Sequence, residues 1–127
     1  MLIRVWDVTF AVSNLERAVD FYENILGFSK KYHYPDNYAG FNCGGVEIGL
    51  TPGSPIGKQD GVSCIDFLVA DIDEVWKTLT EKGVHFLKGP HDTPWGGRIA
   101  QFTDPDGNLL QLVQIHWSKY FKACAQG

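Results

Sequence analysis

Several strand-like stretches of the sequence carry polar side chains at every second position. These side chains are, in chain order, Asp7, Thr9, Cys64, Asp66 and Gln111. Successive side chains of a strand point to opposite faces, so each polar group shares a face with its polar neighbours and leaves the apolar residues on the other side. Gln111 stands out because it lies between Leu110 and Leu112 in an otherwise apolar run. Carboxylate, thiol and amide groups in this pattern predict polar sheet faces that can bind a ligand.

Common catalytic motifs are absent from the sequence. It contains no GxSxG, no P-loop, no dinucleotide-binding GxGxxG and no Cys and His paired at a readable spacing. Cys64 has no evident base beside it, which argues against a covalent nucleophile. The three cysteines, Cys43, Cys64 and Cys124, are widely spaced, and this spacing predicts neither a disulfide framework nor a structural zinc site.

Length, composition and charge favour one compact globular domain. The chain has 127 residues, of which 44% are hydrophobic and 20% charged, and its net charge is −4. Apart from the pair Lys30 and Lys31 there is no dense basic cluster, so we expect neither nucleic acid nor a membrane surface as a partner. The start resembles no signal peptide and no stretch is long enough to span a bilayer, which predicts a cytoplasmic protein.

Two helices are predicted by capping and stop signals, one in each half of the chain. The signals are Ser13, Glu16 and Gly27 for the first helix, and Asp71, Glu74 and Gly83 for the second. An offset of 57 residues carries Val12 onto Val69 and aligns the halves as a weak internal repeat of strand, helix and two or three further strands. Neither half buries its sheet easily alone. We therefore predict a single domain with module one at about 1–52, a linker at about 51–61, module two at about 62–116 and a C-terminal tail at 117–127.

Two stretches, DVTFAVSNLERAVDFYENILGF and WGGRIAQFTDPDGNLLQL, resemble the vicinal oxygen chelate superfamily, which includes glyoxalase I, bleomycin-resistance proteins and extradiol dioxygenases. The resemblance covers about residues 3–115. It implies an α+β fold in which tandem βαβββ modules form a curved mixed sheet, shaped as a cup with the helices outside. In the metal-dependent members, four strand residues meet at the floor of the cup.

The resemblance places the four metal-ligand positions on Asp7, Gly49, Cys64 and Gln111, where the family usually has His, Glu, His and Glu. Glycine supplies no donor, and the amide of Gln111 neither neutralises a cation nor accepts a proton as a carboxylate does. We therefore expect no metal cofactor, with an atypical divalent ion as the less favoured alternative.

Three carboxylates, Asp7, Glu47 and Asp66, share strand faces with those positions. Together they predict either a site for a cationic ligand or a displaced hard ion such as Mg²⁺ or Mn²⁺. The alternative is structural, with Glu47 at an exposed rim and Asp66 bound to a backbone amide. Aromatic residues complete the predicted pocket, with a wall formed by Tyr32, Tyr34 and Tyr38.

The predicted loop GPHDTPWGGR contributes two further candidates. Trp95 either stacks on a ligand or covers the core, and Arg98 pairs with an anionic ligand or with a structural carboxylate. Aromatic walls over an acidic floor fit a cationic, partly aromatic small molecule. The candidate pocket residues are Asp7, Thr9, Glu47, Gly49, Cys64, Asp66, Trp95, Arg98 and Gln111.

Three functions follow from this pattern. The leading prediction is metal-independent binding of a small molecule, by sequestration, as the resemblance to bleomycin-resistance proteins implies. The alternative is an enzyme of the glyoxalase, isomerase or dioxygenase type that uses an atypical metal ion or a lone carboxylate, Asp7 or Glu47, as a base. A third is an interaction module built on the tail HWSKYF, whose Trp117, Tyr120 and Phe121 are spaced to pack on a partner, and the resemblance implies a homodimer.

Overall fold

Two βαβββ units followed by a helix make up the computed structural model of the protein, which describes residues 1–3, 5–53 and 65–126. The units are Met1–Gly61 and Val62–Gly127. Of the predicted linker at 51–61, only the first three residues are described, and Cys64 also lies outside the described residues.

The first unit is a four-stranded mixed sheet with one helical segment. The sheet order is β1-β4-β3-β2, with β1 parallel to β4 and the other pairs antiparallel. Its elements are β1 Asp7–Val12, α1 Leu15–Asp20 continued by a π-helical turn Phe21–Ile25, β2 Ser29–Tyr34, β3 Tyr38–Cys43 and β4 Val46–Pro52.

The second unit repeats this topology, with the sheet order β5-β8-β7-β6 and β5 parallel to β8. Its elements are β5 Ile65–Leu68, α2 Ile72–Glu81, β6 Phe86–Asp92, β7 Gly97–Thr103 and β8 Leu109–Ile115, and the predicted tail is a helix, α3, at Trp117–Gln126. The repeated βαβββ order and the α+β class are confirmed. No helix in the described ranges is long and apolar enough to cross a membrane.

Apolar side chains of the first sheet pack on its helical segment. Tyr22 is fully buried, and its ring centroid lies 6.4 Å from that of Phe10 and 6.0 Å from that of Phe41. Strand alternation then directs the intervening residues to the opposite face of the sheet. The fully buried strand residues on the helix side are Val12, Ala39, Phe41 and Leu50.

Gln111 lies on the side of β8 that faces away from α2, as its alternation with leucines predicted. Leu110 and Leu112 are buried, and Gln114, on their side of the strand, accepts a hydrogen bond from the backbone N–H of Ile72 at the start of α2, at 2.8 Å. Since side chains alternate, Gln111 belongs to the other face.

The observed N-cap residues of α1 and α2 are separated by the 57-residue offset of the repeat, whereas the predicted N-cap residues were not. Ser13 was predicted as the first cap, which is wrong by one residue, because the carboxamide oxygen of Asn14 accepts the backbone N–H of Arg17 at 3.0 Å. Asn and Ser are equally good caps, and backbone conformation decides between neighbours. Asp71 is confirmed, accepting the N–H of Glu74 at 3.2 Å, and the offset from Asn14 to Asp71 is again 57 residues.

Replacing the second cap tests its contribution to stability. We expect Asp71→Ala to lower the free energy of unfolding by about 1 kcal/mol, because a backbone donor of α2 loses its partner, whereas Asp71→Asn keeps an acceptor and changes it by a few tenths. Urea unfolding followed by circular dichroism measures both variants. Equal losses in Ala and Asn would contradict this role.

Candidate ligand-binding site on the polar sheet faces

The first polar face is the side of the β1-β4-β3-β2 sheet that points away from α1. In the sheet register Asp7 lies beside Glu47 and Thr9 beside Gly49. The hydroxyl of Thr9 donates to the carboxylate of Asp7 at 3.4 Å and lies 3.5 Å from the hydroxyl of Tyr38. The face consists of Asp7, Thr9, Tyr32, Tyr38, Glu47 and Gly49.

Glu47 is the buried charge of this face, with only 6% of its surface exposed. Its Oε2 atom accepts hydrogen bonds from the hydroxyls of Tyr32 at 2.6 Å and Tyr38 at 3.4 Å. Its Oε1 atom lies 3.1 Å from the Nζ atom of Lys31. The predicted rim position of Glu47 is therefore wrong: the carboxylate is buried and has partners on both oxygens.

A β-bulge explains how two consecutive residues reach the same carboxylate. In the pairing of β2 with β3, Lys30 lies opposite Phe41 and Tyr32 opposite Gly40, so Lys31 is the extra residue. A bulge interrupts alternation locally, which allows Lys31 and Tyr32 to approach Glu47 together.

Two glycines make room for the tyrosine side chains. A Cβ atom at position 49 would collide with the hydroxyl of Tyr38, and one at position 40 would lie 2.7 Å from the ring of Tyr32. The two rings stack with centroids 5.7 Å apart and an interplanar angle of 20°. Glycine within a strand often marks such a close approach, and here it lets both hydroxyls cross the sheet to Glu47.

Hydrogen bonding keeps Glu47 ionised. The hydrogen bond from Tyr32 lowers the pKa of Glu47 below its ordinary value; burial opposes this shift, while Lys31 and then Tyr38 add to it. The same bond to the carboxylate, together with burial, raises the pKa of Tyr32, so its hydroxyl stays protonated and continues to donate.

The second polar face consists of Asp66, Gln101 and Gln111, which lie side by side on β5, β7 and β8. The Nε2 atom of Gln111 donates to the carboxylate of Asp66 at 3.0 Å, and its Oε1 atom accepts from the Nε2 atom of Gln101 at 2.9 Å. Gln111 is 8% exposed. Its amide thus has a partner for both its donor and its acceptor.

Trp95 and Arg98 make contacts within the second unit. The guanidinium of Arg98 binds both carboxylate oxygens of Asp73, at 3.1 and 2.9 Å, and Asp92 at 3.2 Å. Its hydrogen bonds lower the pKa of Asp73. The ring of Trp95 lies over Gly97 and meets Tyr120 of α3 edge to face.

Each unit brings some of the predicted pocket residues together on its own sheet. Four of them, Asp7, Thr9, Glu47 and Gly49, share the first polar face, and Asp66 and Gln111 share the second. Sequence reasoning missed Lys31 and Gln101, because a bulge and a cross-strand amide pair leave no local pattern. The glycines at 40 and 49 were the available signal, since glycine inside a strand indicates that a large side chain lies across it.

The described donors do not fit the metal ion that the family resemblance implies. The space beside Gly49 is filled by the Tyr38 hydroxyl, and the Gln111 oxygen is engaged by Gln101. Within the part of the chain that the structure describes, no three His, Cys, Asp or Glu side chains form a cluster able to hold a metal ion.

A side chain at position 49 is expected to destabilise the protein. Gly49→Ala should lower the free energy of unfolding by about 1 to 3 kcal/mol, because its Cβ displaces the Tyr38 hydroxyl from Glu47. Gly89→Ala is the matched control, since its Cβ would lie 3.8 Å from Trp76 in ordinary contact. In a Tyr38→Ala background the cost of Gly49→Ala should shrink. Equal costs for the alanines at 49 and 89 would refute this packing.

The lowered pKa of Glu47 predicts a pH-dependent contribution to stability. The unfolded chain takes up a proton near the ordinary value of 4.5, whereas the folded protein does so at lower pH. Stability from Glu47 is therefore complete above that value and is lost as pH falls through the folded pKa. The difference in free energy of unfolding between wild type and Glu47→Gln should narrow from pH 7 to pH 3. If the difference in free energy of unfolding between the two proteins does not change with pH, the lowered pKa of Glu47 is contradicted.

Comparisons with known proteins agree with this architecture. The family model described as "Glyoxalase/Bleomycin resistance protein/Dioxygenase superfamily" matches residues 5–112. The Bacillus subtilis protein YurT is 34% identical over 119 residues, covering 81% of this chain and 92% of its own. A Sphaerobacter thermophilus structure, a member of the glyoxalase/bleomycin resistance protein/dioxygenase superfamily, has a TM-score of 0.74 and 36% identity, covering 89% of this chain and 98% of its own.

A third relative corrects one prediction. FosB of Staphylococcus haemolyticus is 31% identical over 110 residues, covering 83% of this chain and 78% of its own, and it is named a metallothiol transferase. The expectation of no cofactor is therefore corrected: similarity at this level extends to a protein named for a metal, although the described residues of this chain do not form the ligand set that the family resemblance implies. Sequence match, sheet topology and structural similarity agree that the chain belongs to the glyoxalase/bleomycin resistance protein/dioxygenase superfamily.

Proposed function

We propose that the protein binds a small organic cation with an aromatic group on the first polar face, with Glu47 as the anchor. The observation that carries the proposal is a buried, ionised carboxylate on the sheet face away from the helix, held by two tyrosine hydroxyls. Burying a charge is costly, and apolar residues of similar volume often stabilise a fold as well or better. Such a group is therefore a candidate for recognition.

The tyrosines supply the rest of the recognition chemistry. Tyr34 is 61% exposed, and its ring centroid lies 5.7 Å from that of Tyr32, which stacks on Tyr38. Aromatic faces attract organic cations and also stack on flat ligands. A cationic aromatic molecule would use both the rings and the carboxylate.

Binding is favoured over proton abstraction by Glu47. A general base is most effective when its pKa lies near the working pH, whereas the hydrogen bond from Tyr32 lowers the pKa of Glu47. Sequestration of a ligand, with no bond broken, accordingly fits this carboxylate better than isomerase chemistry does.

A metal-dependent transferase is the second candidate, and the similarity to FosB favours it. Elemental analysis of untagged protein after dialysis separates the two candidates. Stoichiometric transition metal, with binding of 2-phenylethylammonium that is lost in the metal-stripped protein, would favour the second candidate and overturn Glu47 as the anchor.

The proposal includes a homodimer in the cytoplasm. Trp117 and Phe121 of α3 are 52% and 62% exposed, which supports an aromatic contact between copies. The three widely spaced cysteines, which predict no disulfide framework, support the location.

A binding experiment tests the anchor directly. Titration calorimetry should show saturable binding of 2-phenylethylammonium and none of the neutral isostere 2-phenylethanol, because only the former carries a charge for Glu47. Glu47→Gln should weaken binding on the order of tenfold or more, equivalent to about 1.4 kcal/mol. Absence of saturable binding by the cation, or equal binding of the alcohol, would overturn the proposal.

A further inference from the structure

We infer that Lys31 competes with a cationic ligand for the carboxylate of Glu47. Its ammonium group pairs with Glu47 in the free protein and is displaced when the ligand binds. This inference rests on the proposed function and adds to it a residue that sets affinity and selectivity for charge. It follows from the different exposure and hydrogen bonding of Glu47 and Lys31, which form one ion pair.

The carboxylate is buried and held by hydrogen bonds, whereas the lysine side chain is partly exposed. Glu47 is 6% exposed and held by Tyr32 and Tyr38, while 44% of the Lys31 side chain is exposed at the end of a long stem. Releasing a partly exposed lysine restores its hydration and its rotamer freedom. Leaving the buried carboxylate without a cation is costly, so departure of Lys31 is coupled to the arrival of another positive charge.

The backbone allows this exchange without loss of the sheet. Lys31 is the bulged residue of β2, and β2 is the last strand in the order β1-β4-β3-β2. Its neighbours Lys30 and Tyr32 keep their partners on β3 whichever way the Lys31 side chain points. Because Lys31 is the bulged residue, its ammonium group can change position without altering the pairing of β2 with β3.

The competition has a consequence for selectivity. A neutral or anionic molecule gains nothing by displacing Lys31, because it leaves Glu47 uncompensated. A cation replaces the lost ion pair, and its apparent affinity is reduced by the competition with Lys31. The opposite role, in which Lys31 itself binds an anionic ligand, predicts weaker binding on its removal.

Substitution of Lys31 separates these roles. We expect Lys31→Met and Lys31→Gln to bind 2-phenylethylammonium more tightly than wild type, on the order of tenfold, because the competing cation is gone. Lys31→Arg keeps a cation and should bind as wild type does. Lys30→Met is the matched control for net charge, since Lys30 pairs instead with Glu23 at 3.5 Å.

Titration calorimetry on the four variants gives the constants, and circular dichroism identifies those that fold. Two substitutions at position 31 are used so that one folding failure does not decide the result. If wild type binds the cation but removal of Lys31 leaves affinity unchanged or weaker, the inference is overturned and the proposed function stands. If neither wild type nor the Lys31 variants bind it, the proposed function is overturned, and the inference with it.

Discussion

The buried carboxylate of Glu47, on the sheet face away from α1, is the constraint on which the side-chain arrangement of the first polar face depends. Each partner of Glu47 depends on a separate backbone feature: the tyrosines need glycine at positions 40 and 49, and the lysine needs a bulge in β2. An apolar residue at position 47 would need none of these partners. Because a buried carboxylate without partners costs several kcal/mol, they are best understood together, as conditions for keeping that charge.

The two units show how a duplicated backbone acquires different surfaces. The row Thr9, Gly49 and Gly40 in the first sheet corresponds to Asp66, Gln111 and Gln101 in the second. The first row is covered by tyrosine side chains from neighbouring strands, whereas the second is a chain of hydrogen-bonded amides ending on a carboxylate. One backbone topology thus carries two different surfaces within one chain, just as one fold carries different sites in different members of a superfamily.

Sequence patterns predicted the elements better than the site. Alternation and the 57-residue offset predicted a repeat of strand, helix and two or three further strands, and the family resemblance implied three. Alternation also predicted the side of β8 on which Gln111 lies, because it depends on local periodicity. The partners of Glu47 were not predictable, because Lys31 reaches it through a bulge, and bulges change register without a sequence signature of their own. The expectation of no cofactor was drawn from the residue types at the four implied ligand positions, whereas cofactor use depends on side chains brought together from distant strands.

The close contact between Gly49 and Tyr38 also constrains how this sequence can change over evolution. A larger residue at position 49 is tolerated only after Tyr38 has been replaced by a smaller one, whereas the reverse order passes through an overcrowded intermediate. A liganding side chain can therefore appear at position 49 only after the second tyrosine that binds Glu47 has been replaced. The steric contact between these two positions thus determines the order in which they can be substituted.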